Sequence, residues 1–244
     1  MPQIITCFLL ICLSATMMVA DRVQAQDSGA ATMPDHPIDH IILAVPDLKE
    51  GSAEMGETLS VEPTSGGAHP DLGTANSLVG LGDGIYLEII GPADNNNSGK
   101  FAESLAKLRQ PELIGFAMQA RDLEAVRAAA IAGGIAVGEI RAGSRRTPDG
   151  AMLQWRTMSI ADPAYAFLVP FFIDWGETPH PSATSVAGPQ LITWEVGHPD
   201  PAGLQTIYDR LGIAIEVATA TRPFLRAQIA AGDRTVVLLG TGGQ

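Results

Sequence analysis

The feature that most constrains the fold is a junction that occurs three times along the chain of 244 residues. Each copy is an apolar run, then an Asp, then an amphipathic stretch, and the three Asp residues are Asp47, Asp122 and Asp200. An Asp carboxylate accepts hydrogen bonds from the free N–H groups of a first helical turn, so each copy predicts a strand followed by a capped helix. A period of about 75 residues is longer than that of common solenoid repeats. The repeat therefore favours three larger strand–helix modules.

Short strand-like runs follow each predicted helix. In the first copy, residues 75–81 and 85–91 are separated by Gly82-Asp83-Gly84, which is typical of a hairpin turn. The same succession recurs after the other two helices. The predicted order within each copy is thus one strand, one helix and three more strands. We predict an α+β fold of repeated βαβββ modules, whose curved mixed sheets surround a cleft.

The first 25 residues are predicted to be a secretory signal peptide. Residues 4–20 are mostly apolar, and Val23 and Ala25 fit a cleavage site after Ala25. An uncleaved membrane anchor is the alternative, because no Lys or Arg precedes the apolar run and about 17 residues is the lower limit for spanning a bilayer. The only cysteines, Cys7 and Cys12, lie in this segment, which excludes disulfides and thiol nucleophiles after cleavage. We expect a periplasmic or secreted protein without stable membrane association.

A linker rich in Pro, Ser, Ala and Gly begins at His180-Pro181 and divides the remainder of the chain. Residues 26–36 are predicted to be a flexible lead-in. Residues 37–178 are predicted to hold two paired βαβββ modules, and residues 190–244 a third module. Because such modules normally pair, the third either covers the cleft or pairs with its own copy in a homodimer.

The charge of the chain excludes several classes of partner. It has 27 Asp and Glu against 15 Lys and Arg, a formal net charge of −12. Nucleic acids and anionic lipid surfaces attract basic proteins, so neither is an expected partner. The chain also lacks a G-x-S-x-G nucleophile elbow and a G-x-G-x-x-G loop after a strand, which argues against a serine hydrolase and a dinucleotide enzyme. A small molecule is the expected partner.

Several motifs resemble those of the vicinal oxygen chelate superfamily and, more narrowly, those of the glyoxalase-like domain family. These motifs are Asp39-His40, Gly66-Gly67, His69-Pro70, Gly73 to Asn76, Tyr86 to Glu88, RRTPDG at 145–150, Leu153 to Trp155, PFFIDW at 170–175 and His180-Pro181. The match covers most of residues 38–240. The resemblance implies paired βαβββ modules and, commonly, a divalent metal ion at the concave face of the sheet.

In that superfamily, a His of the first strand and a Glu of the last strand of a module bind the metal. These positions match His40 and Glu88, which we therefore predict to be metal ligands and catalytic residues. The second module does not supply matching donors, since it has Gly115 or Phe116 in place of the His, and Pro170 or Phe171 in place of the Glu. The ligand set is incomplete. An imidazole with a carboxylate suits Zn, Mn, Fe(II) or Ni, and an unligated Glu88 could instead act as a base.

The position of Glu88 supports a functional role on physical grounds. It lies inside the apolar run IYLEII at 85–90, where strand alternation places it on one face with Tyr86. A carboxylate in such a run is costly to desolvate unless it is paired or bound to a cation. The alternative is that Glu88 lies on an open sheet face and that His40 is an ordinary strand histidine.

Four further residues are candidates for binding a substrate. His69 and Asn76 flank a Gly-rich loop, where His69 is a third ligand or an acid/base group, or else a turn histidine. Arg145 and Arg146 are local positive charges, and a guanidinium binds a carboxylate with two parallel hydrogen bonds. The alternative for both is a solvated hairpin tip. Four aromatic residues are predicted to pack in the core, with the cleft wall as the alternative: Trp155, Phe171, Phe172 and Trp175.

Together these observations predict an exported glyoxalase-like enzyme that acts on a small oxygenated metabolite. The expected chemistry is isomerase, lyase or ring-opening chemistry, with His40 and Glu88 at its centre. A non-catalytic protein that binds or sequesters a small molecule on the same scaffold is the alternative, which the missing ligands favour. A structural envelope protein is a third possibility and would have no affinity for small molecules in the cleft.

Overall fold

The structure, a computed structural model, describes residues 36–93, 99–147 and 150–242. The predicted signal peptide and all but one residue of the predicted lead-in lie outside this part of the chain. The exception, His36, is buried, and its backbone N–H donates to the carbonyl of Gly212 at 3.1 Å. No helix within the described residues is long and apolar enough to cross a membrane.

The three Asp residues of the repeated junction each cap a helix that follows a strand. Asp47 accepts a hydrogen bond from the backbone N–H of the third residue after it, and Asp122 and Asp200 do the same, at N···O distances of 2.8, 2.9 and 3.1 Å. The helices of the described residues are α1 (Leu48–Leu59), α2 (Lys100–Leu105), α3 (Leu123–Ala132) and α4 (Pro201–Arg210). These distances confirm the predicted caps. They could be predicted because the contact spans only three residues and depends little on the rest of the fold.

The strands form two sheets. They are β1 (Ile38–Ala44), β2 (Thr64–His69), β3 (Thr74–Gly80), β4 (Tyr86–Pro92), β5 (Glu112–Gln119), β6 (Arg141–Arg146), β7 (Met152–Met158), β8 (Phe171–Asp174), β9 (Gln190–His198), β10 (Val217–Thr219), β11 (Phe224–Ala231) and β12 (Arg234–Gly240). The larger sheet has the order β2-β3-β4-β1-β5-β8-β7-β6 and the smaller β10-β9-β11-β12.

The larger sheet consists of two equivalent halves joined edge to edge. β1 pairs in parallel with β4, and β5 pairs in parallel with β8. The halves meet where β1 and β5 pair antiparallel. This curved, strand-rich sheet with few helices confirms the predicted α+β fold of βαβββ modules.

The smaller sheet repeats the order of elements but not the order of strands. Its first strand, β9, lies between β10 and β11 and so has a partner on both edges within its own sheet. In contrast, β1 keeps one edge free for β5. The third region therefore has no free first strand with which to extend the larger sheet. The division of the chain at residues 37–178 and 190–244 stays a prediction.

The main hydrophobic core lies on one face of the larger sheet, between that sheet, the helices α1, α3 and α4, and the smaller sheet. Ile41 and Leu43 of β1 point into it, together with Leu225 of β11. Tyr208 of α4 is fully buried there, and its hydroxyl donates to the backbone carbonyl of Leu168 at 2.5 Å. Strand alternation then directs the other residues of β1 to the opposite face of the sheet, where the cavity lies.

Candidate functional site

A cavity of about 630 Å³ lies on the face of the larger sheet that faces away from the main core. Five of the residues predicted from the sequence line it: His40, His69, Asn76, Glu88 and Arg145. All of its lining residues lie between His40 and Trp175, so none of the described residues of the smaller sheet contributes to it. The expectation that the third module covers the cleft does not hold for this cavity. Pairing in a homodimer stays a prediction.

Glu88 lies at the centre of the polar part of the cavity. It is 8% exposed, and its Oε1 accepts a hydrogen bond from Nδ2 of Asn76 at 2.6 Å. Nε2 of His40 is 3.6 Å from Oε2, and Nε2 of His69 is 4.0 Å from Oε1. The structure thus brings three of the predicted site residues together around the carboxylate of a fourth, Glu88. The parallel pairing of β1 with β4 accounts for the approach of His40 to Glu88.

A β-bulge in β1 sets the orientation of His40. The pairing of β1 with β5 shifts between Ile38 and His40, so that Asp39 is an extra residue without a partner on β5. Adjacent side chains can therefore meet, and Nδ1 of His40 lies 2.7 Å from Oδ1 of Asp39. Because an ionised carboxylate only accepts hydrogen bonds, Nδ1 carries the proton. In the neutral form of the ring, Nε2 then presents a lone pair to Glu88.

Asp39 is fully buried and accepts hydrogen bonds from two further side chains. Nε1 of Trp175 donates to it at 3.1 Å and Nε2 of His180 at 2.9 Å. The other ring nitrogen of His180 accepts from the backbone N–H of Ser182 at 3.3 Å, which places the proton of a neutral ring on Nε2. Burial alone would raise the pKa of Asp39, but the hydrogen bonds from His180 and His40 outweigh it and lower that pKa. Asp39 is therefore ionised and holds His40 in place.

The sequence analysis did not identify Asp39 or His180 as site residues. Strand alternation assigns Asp39 to the face opposite His40, and only the bulge brings the two side chains together. His180 is 141 residues from Asp39 in the chain, and nothing local distinguishes it from an ordinary linker histidine. The adjacency of Asp39 and His40 in the sequence was the one signal for the contact between these two residues.

His69 and Tyr86 are uncharged components of the site. Burial lowers the pKa of His69, and this effect outweighs the nearby negative charge of Glu88, which raises that pKa. The positive charge of Arg145 lowers it further. Burial also raises the pKa of Tyr86 well above its ordinary value, so its hydroxyl stays protonated. The ring of Tyr86 stacks on that of His40, with centroids 4.7 Å apart.

The two predicted arginines lie on opposite faces of β6. Arg145 points into the cavity and is 5% exposed. Arg146 is exposed, and its Nη1 donates to the backbone carbonyl of Gly150 at 2.8 Å. Alternation along one strand therefore separates the two residues, and Arg146 does not line the cavity.

Three of the four aromatic residues expected in the core line the cavity instead: Trp155, Phe171 and Trp175. Phe172 is in the main core, as predicted. The alternation of Phe171 and Phe172 along β8 directs one ring to each face of the sheet. The ring of Phe171 meets that of His40 edge to face, with centroids 5.6 Å apart.

The residues of the second half do not fit the four-ligand metal site that the resemblance implies. Ile42 pairs with Glu88, and its equivalent Ala117 pairs with Phe171, so Phe171 occupies the position of the second Glu. The same equivalence places Gly115 at the position of the second His. The described residues contain no group of three or more His, Cys, Asp or Glu arranged to hold a metal ion. No step of the function proposed below therefore passes through a metal.

Restoring both donors should create a divalent-metal site. A Cβ built on Gly115 meets no atom within 4 Å, so a larger side chain has room there. We expect the double variant Gly115→His, Phe171→Glu to bind Zn²⁺ roughly 100-fold more tightly than the unaltered protein, because two added ligands each contribute more than ~1.4 kcal/mol. Equilibrium dialysis with Zn²⁺ measures this. The variant Gly115→Ala, Phe171→Leu is the control, and an unaltered protein that binds Zn²⁺ as tightly as the double variant would contradict the prediction.

Comparison with known proteins identifies related chains. A model of the glyoxalase-like domain family matches residues 38–212. The chain is similar to the crystal structure of a hypothetical protein from Staphylococcus aureus, with 19% identity, 86% of this chain and 87% of that chain covered, and a TM-score of 0.58. A comparison with curated proteins finds no match.

Methylmalonyl-CoA epimerases are also similar to this chain. The enzyme from Mycobacterium tuberculosis has 20% identity, with 61% of this chain and 92% of that chain covered and a TM-score of 0.44. A Streptomyces coelicolor variant, in complex with 2-nitronate-propionyl-CoA, has 19% identity, with 58% and 98% covered and a TM-score of 0.43. The family match spans more than half of the sequence, and the two joined βαβββ halves agree with it. The chain therefore belongs to the glyoxalase-like domain family.

Proposed function

We propose that the protein is an enzyme that moves a proton on a small oxygenated molecule bound in the cavity, as an isomerase or a lyase. The observation that carries this proposal is that Oε2 of Glu88 and Nε2 of His40 face each other at 3.6 Å, where both can accept a proton when the ring of His40 is neutral. This distance is too long for a hydrogen bond between them. Both atoms are thus available to an acidic C–H or O–H group of a bound molecule.

Glu88 is the proposed base. Its Oε1 is held by the amide of Asn76, which orients the carboxylate and leaves Oε2 to take the proton. The electron pair of the broken C–H bond is left on the substrate as an enolate, and the proton returns to a different atom to complete an isomerisation. In a lyase, the electron pair would instead expel a leaving group from the neighbouring carbon.

His40 is the proposed partner of Glu88. In the neutral form of the ring, Nε2 accepts the proton of a substrate hydroxyl and passes it to the neighbouring carbonyl oxygen or leaving group, and the ionised Asp39 stabilises the imidazolium in between. We do not propose a reacting role for Asp39, Trp175 or His180. Trp175 and His180 donate to Asp39, and Asp39 accepts from His40, so the three residues act through His40 by holding its ring in one orientation.

A non-catalytic binding protein is the second candidate, and a specific observation favours it. Phe171 replaces a donor of the family's ligand set and packs an apolar ring against His40. A cavity of this kind could retain a molecule without transforming it. Binding without any proton exchange would support this candidate.

We also propose that the protein is exported, on the basis of the apolar segment at residues 4–20 and the small residues before Gln26. Mass spectrometry of the N-terminus of protein recovered from a secretion-competent host tests this proposal. A mature chain that begins at Gln26 supports it, and an intact N-terminus with membrane-bound protein would favour the anchor.

Proton exchange in D₂O tests the proposed reaction. The probes are a panel of neutral and acidic hydroxy and oxo compounds. We expect the protein to exchange a C–H proton of at least one of them for deuterium, so that the signal of this proton disappears from the ¹H NMR spectrum. Glu88→Gln should slow this exchange by roughly 100- to 10,000-fold, as expected for loss of a general base. Glu54→Gln is the control, since Glu54 is exposed on α1. Exchange at the same rate in Glu88→Gln would exclude the proposed role.

A further inference from the structure

We infer that Arg145 forms a subsite for a carboxylate, so that the ligand of this cavity is a small carboxylic acid with an apolar or aromatic body. This inference names the substrate class of the function proposed above and rests on it in that respect. The binding that it predicts is measured separately from turnover.

The burial of Arg145 is the first observation. The residue is 5% exposed, and its Nη1 is buried without a hydrogen-bond partner in the part of the chain that the structure describes. No carboxylate among the described residues lies within ion-pair distance of it. Burial lowers the pKa of Arg145, but a guanidinium stays charged in proteins. A buried cation without a partner is unfavourable by several kcal/mol, so an anion from outside the chain is the missing partner.

Two glycines allow close packing around β6, the strand that carries Arg145. Gly67 of β2 has φ of +131°, and a Cβ there would lie 3.5 Å from Nη1 of Arg145 and 2.6 Å from the carbonyl oxygen of Arg146. A Cβ at Gly143 would lie 2.5 Å from the indole of Trp155. Glycine at these positions lets β2 approach β6 closely and lets the indole pack against the backbone of β6 at Gly143.

The walls of the cavity define the rest of the ligand. Beyond the guanidinium, much of the surface is apolar, and Tyr86, Trp155, Phe171 and Trp175 are among its aromatic rings. A volume of about 630 Å³ lies within the usual range for small-molecule sites, ~300–1,000 Å³. Such a surface favours an apolar or aromatic body attached to the charged group.

The carboxylate subsite and the proposed base act on one ligand. Arg145 and Glu88 line the same cavity and interact electrostatically, yet they do not form an ion pair. A ligand whose carboxylate lies on Arg145 can therefore present a neighbouring carbon or hydroxyl to Glu88. The guanidinium would also stabilise negative charge that develops near the carboxylate as the proton leaves.

Calorimetric titration with matched acids and esters tests the subsite. The probes are mandelate, phenylpyruvate and 2-oxohexanoate, each with its methyl ester. We expect at least one acid to bind the unaltered protein, and its ester to bind much more weakly. Arg145→Met should weaken binding of that acid by roughly 10- to 150-fold, as expected for the loss of charged hydrogen bonds, and leave the ester unchanged. Arg146→Met is the matched control, because that arginine lies on the other face of β6, and it should bind like the unaltered protein.

Thermal unfolding separates a binding role from a structural one. Since Arg145 is buried without a partner, Arg145→Met should unfold at the same temperature as the unaltered protein or at a higher one. Three results would overturn the inference. The first is a large fall in the unfolding temperature of Arg145→Met. The others are that no acid binds, or that the unaltered protein and Arg145→Met both bind an acid and its ester with equal affinity. Binding of acids through Arg145 with no deuterium exchange would refute only the proposed reaction. Exchange in esters as fast as in acids would refute only the subsite.

Discussion

A chain that ends at residue 189 should fail to fold, although every residue that lines the cavity precedes that point. The smaller sheet and α4 contribute fully buried side chains to the main core, among them Val196, Tyr208, Leu225 and Ile229. These pack against residues of the larger sheet, as the rings of Phe116 and Trp194 do, 5.1 Å apart. Each such side chain contributes about 1.5–3 kcal/mol by burial, and the net stability of a domain is only about 5–15 kcal/mol. The stabilisation lost with the smaller sheet therefore exceeds the net stability of the domain.

Soluble yield and the dispersion of a ¹H–¹⁵N correlation spectrum measure this effect. The matched control is the full chain with Val237→Ser and Leu239→Ser, because these side chains lie on the smaller sheet but are 52% and 53% exposed. We expect the control to give the spectrum of a folded protein and the shortened chain to give a collapsed one or none. A well-dispersed spectrum from the shortened chain would show that the larger sheet is stable by itself.

Asp39→Ala should lower the free energy of unfolding by about 3–5 kcal/mol, the cost of removing one partner from a buried ionic cluster. The substitution leaves three buried donors, on His40, Trp175 and His180, without their acceptor. Urea unfolding at pH 7 measures the change. Asp47→Ala is the control, because Asp47 also accepts a hydrogen bond close to β1. Asp47 is an exposed helix cap, and the loss of such a cap costs about 1 kcal/mol.

The effect of Asp39→Ala should depend on pH in one direction. The folded-state pKa of Asp39 lies below its ordinary value of 3.8, so its ionised form stabilises the folded protein above that pH. This contribution is lost as the pH falls through the folded-state pKa. The difference in stability between the unaltered protein and Asp39→Ala should be constant from pH 5 upward and should shrink below about pH 3.8. Equal costs for Asp39→Ala and Asp47→Ala at pH 7 would show that Asp39 is not held as the structure indicates.

The interactions that could be predicted from the sequence are those that act over a short stretch of chain. The caps at Asp47, Asp122 and Asp200 join residues three positions apart, so their geometry follows from local residue types. The approach of Glu88 to His40 followed from strand alternation together with the family resemblance. Even so, the roles of these two residues stay predictions until the exchange experiment is done.

The tertiary structure decided the features that depend on register and on contacts between distant residues. A single extra residue in β1 turned Asp39 toward His40, and a register one residue different would have exchanged Arg145 for Arg146 in the cavity. Side chains alternate between the faces of a strand, so a shift of one position moves each of them to the other face, and no local pattern sets that shift.

The sequence alone thus determined the element order of the modules and the residue types that meet in the cleft, because periodicity and capping are encoded within a few neighbouring positions. The folded structure was needed to show that His180 supports Asp39, the partner of His40, from 141 residues away, and that the smaller sheet packs on the core rather than over the cleft. These outcomes depend on which strand edges remain free and which apolar faces remain uncovered once the larger sheet has formed. Both depend on the packing of the whole chain, so they cannot be predicted from short stretches of sequence.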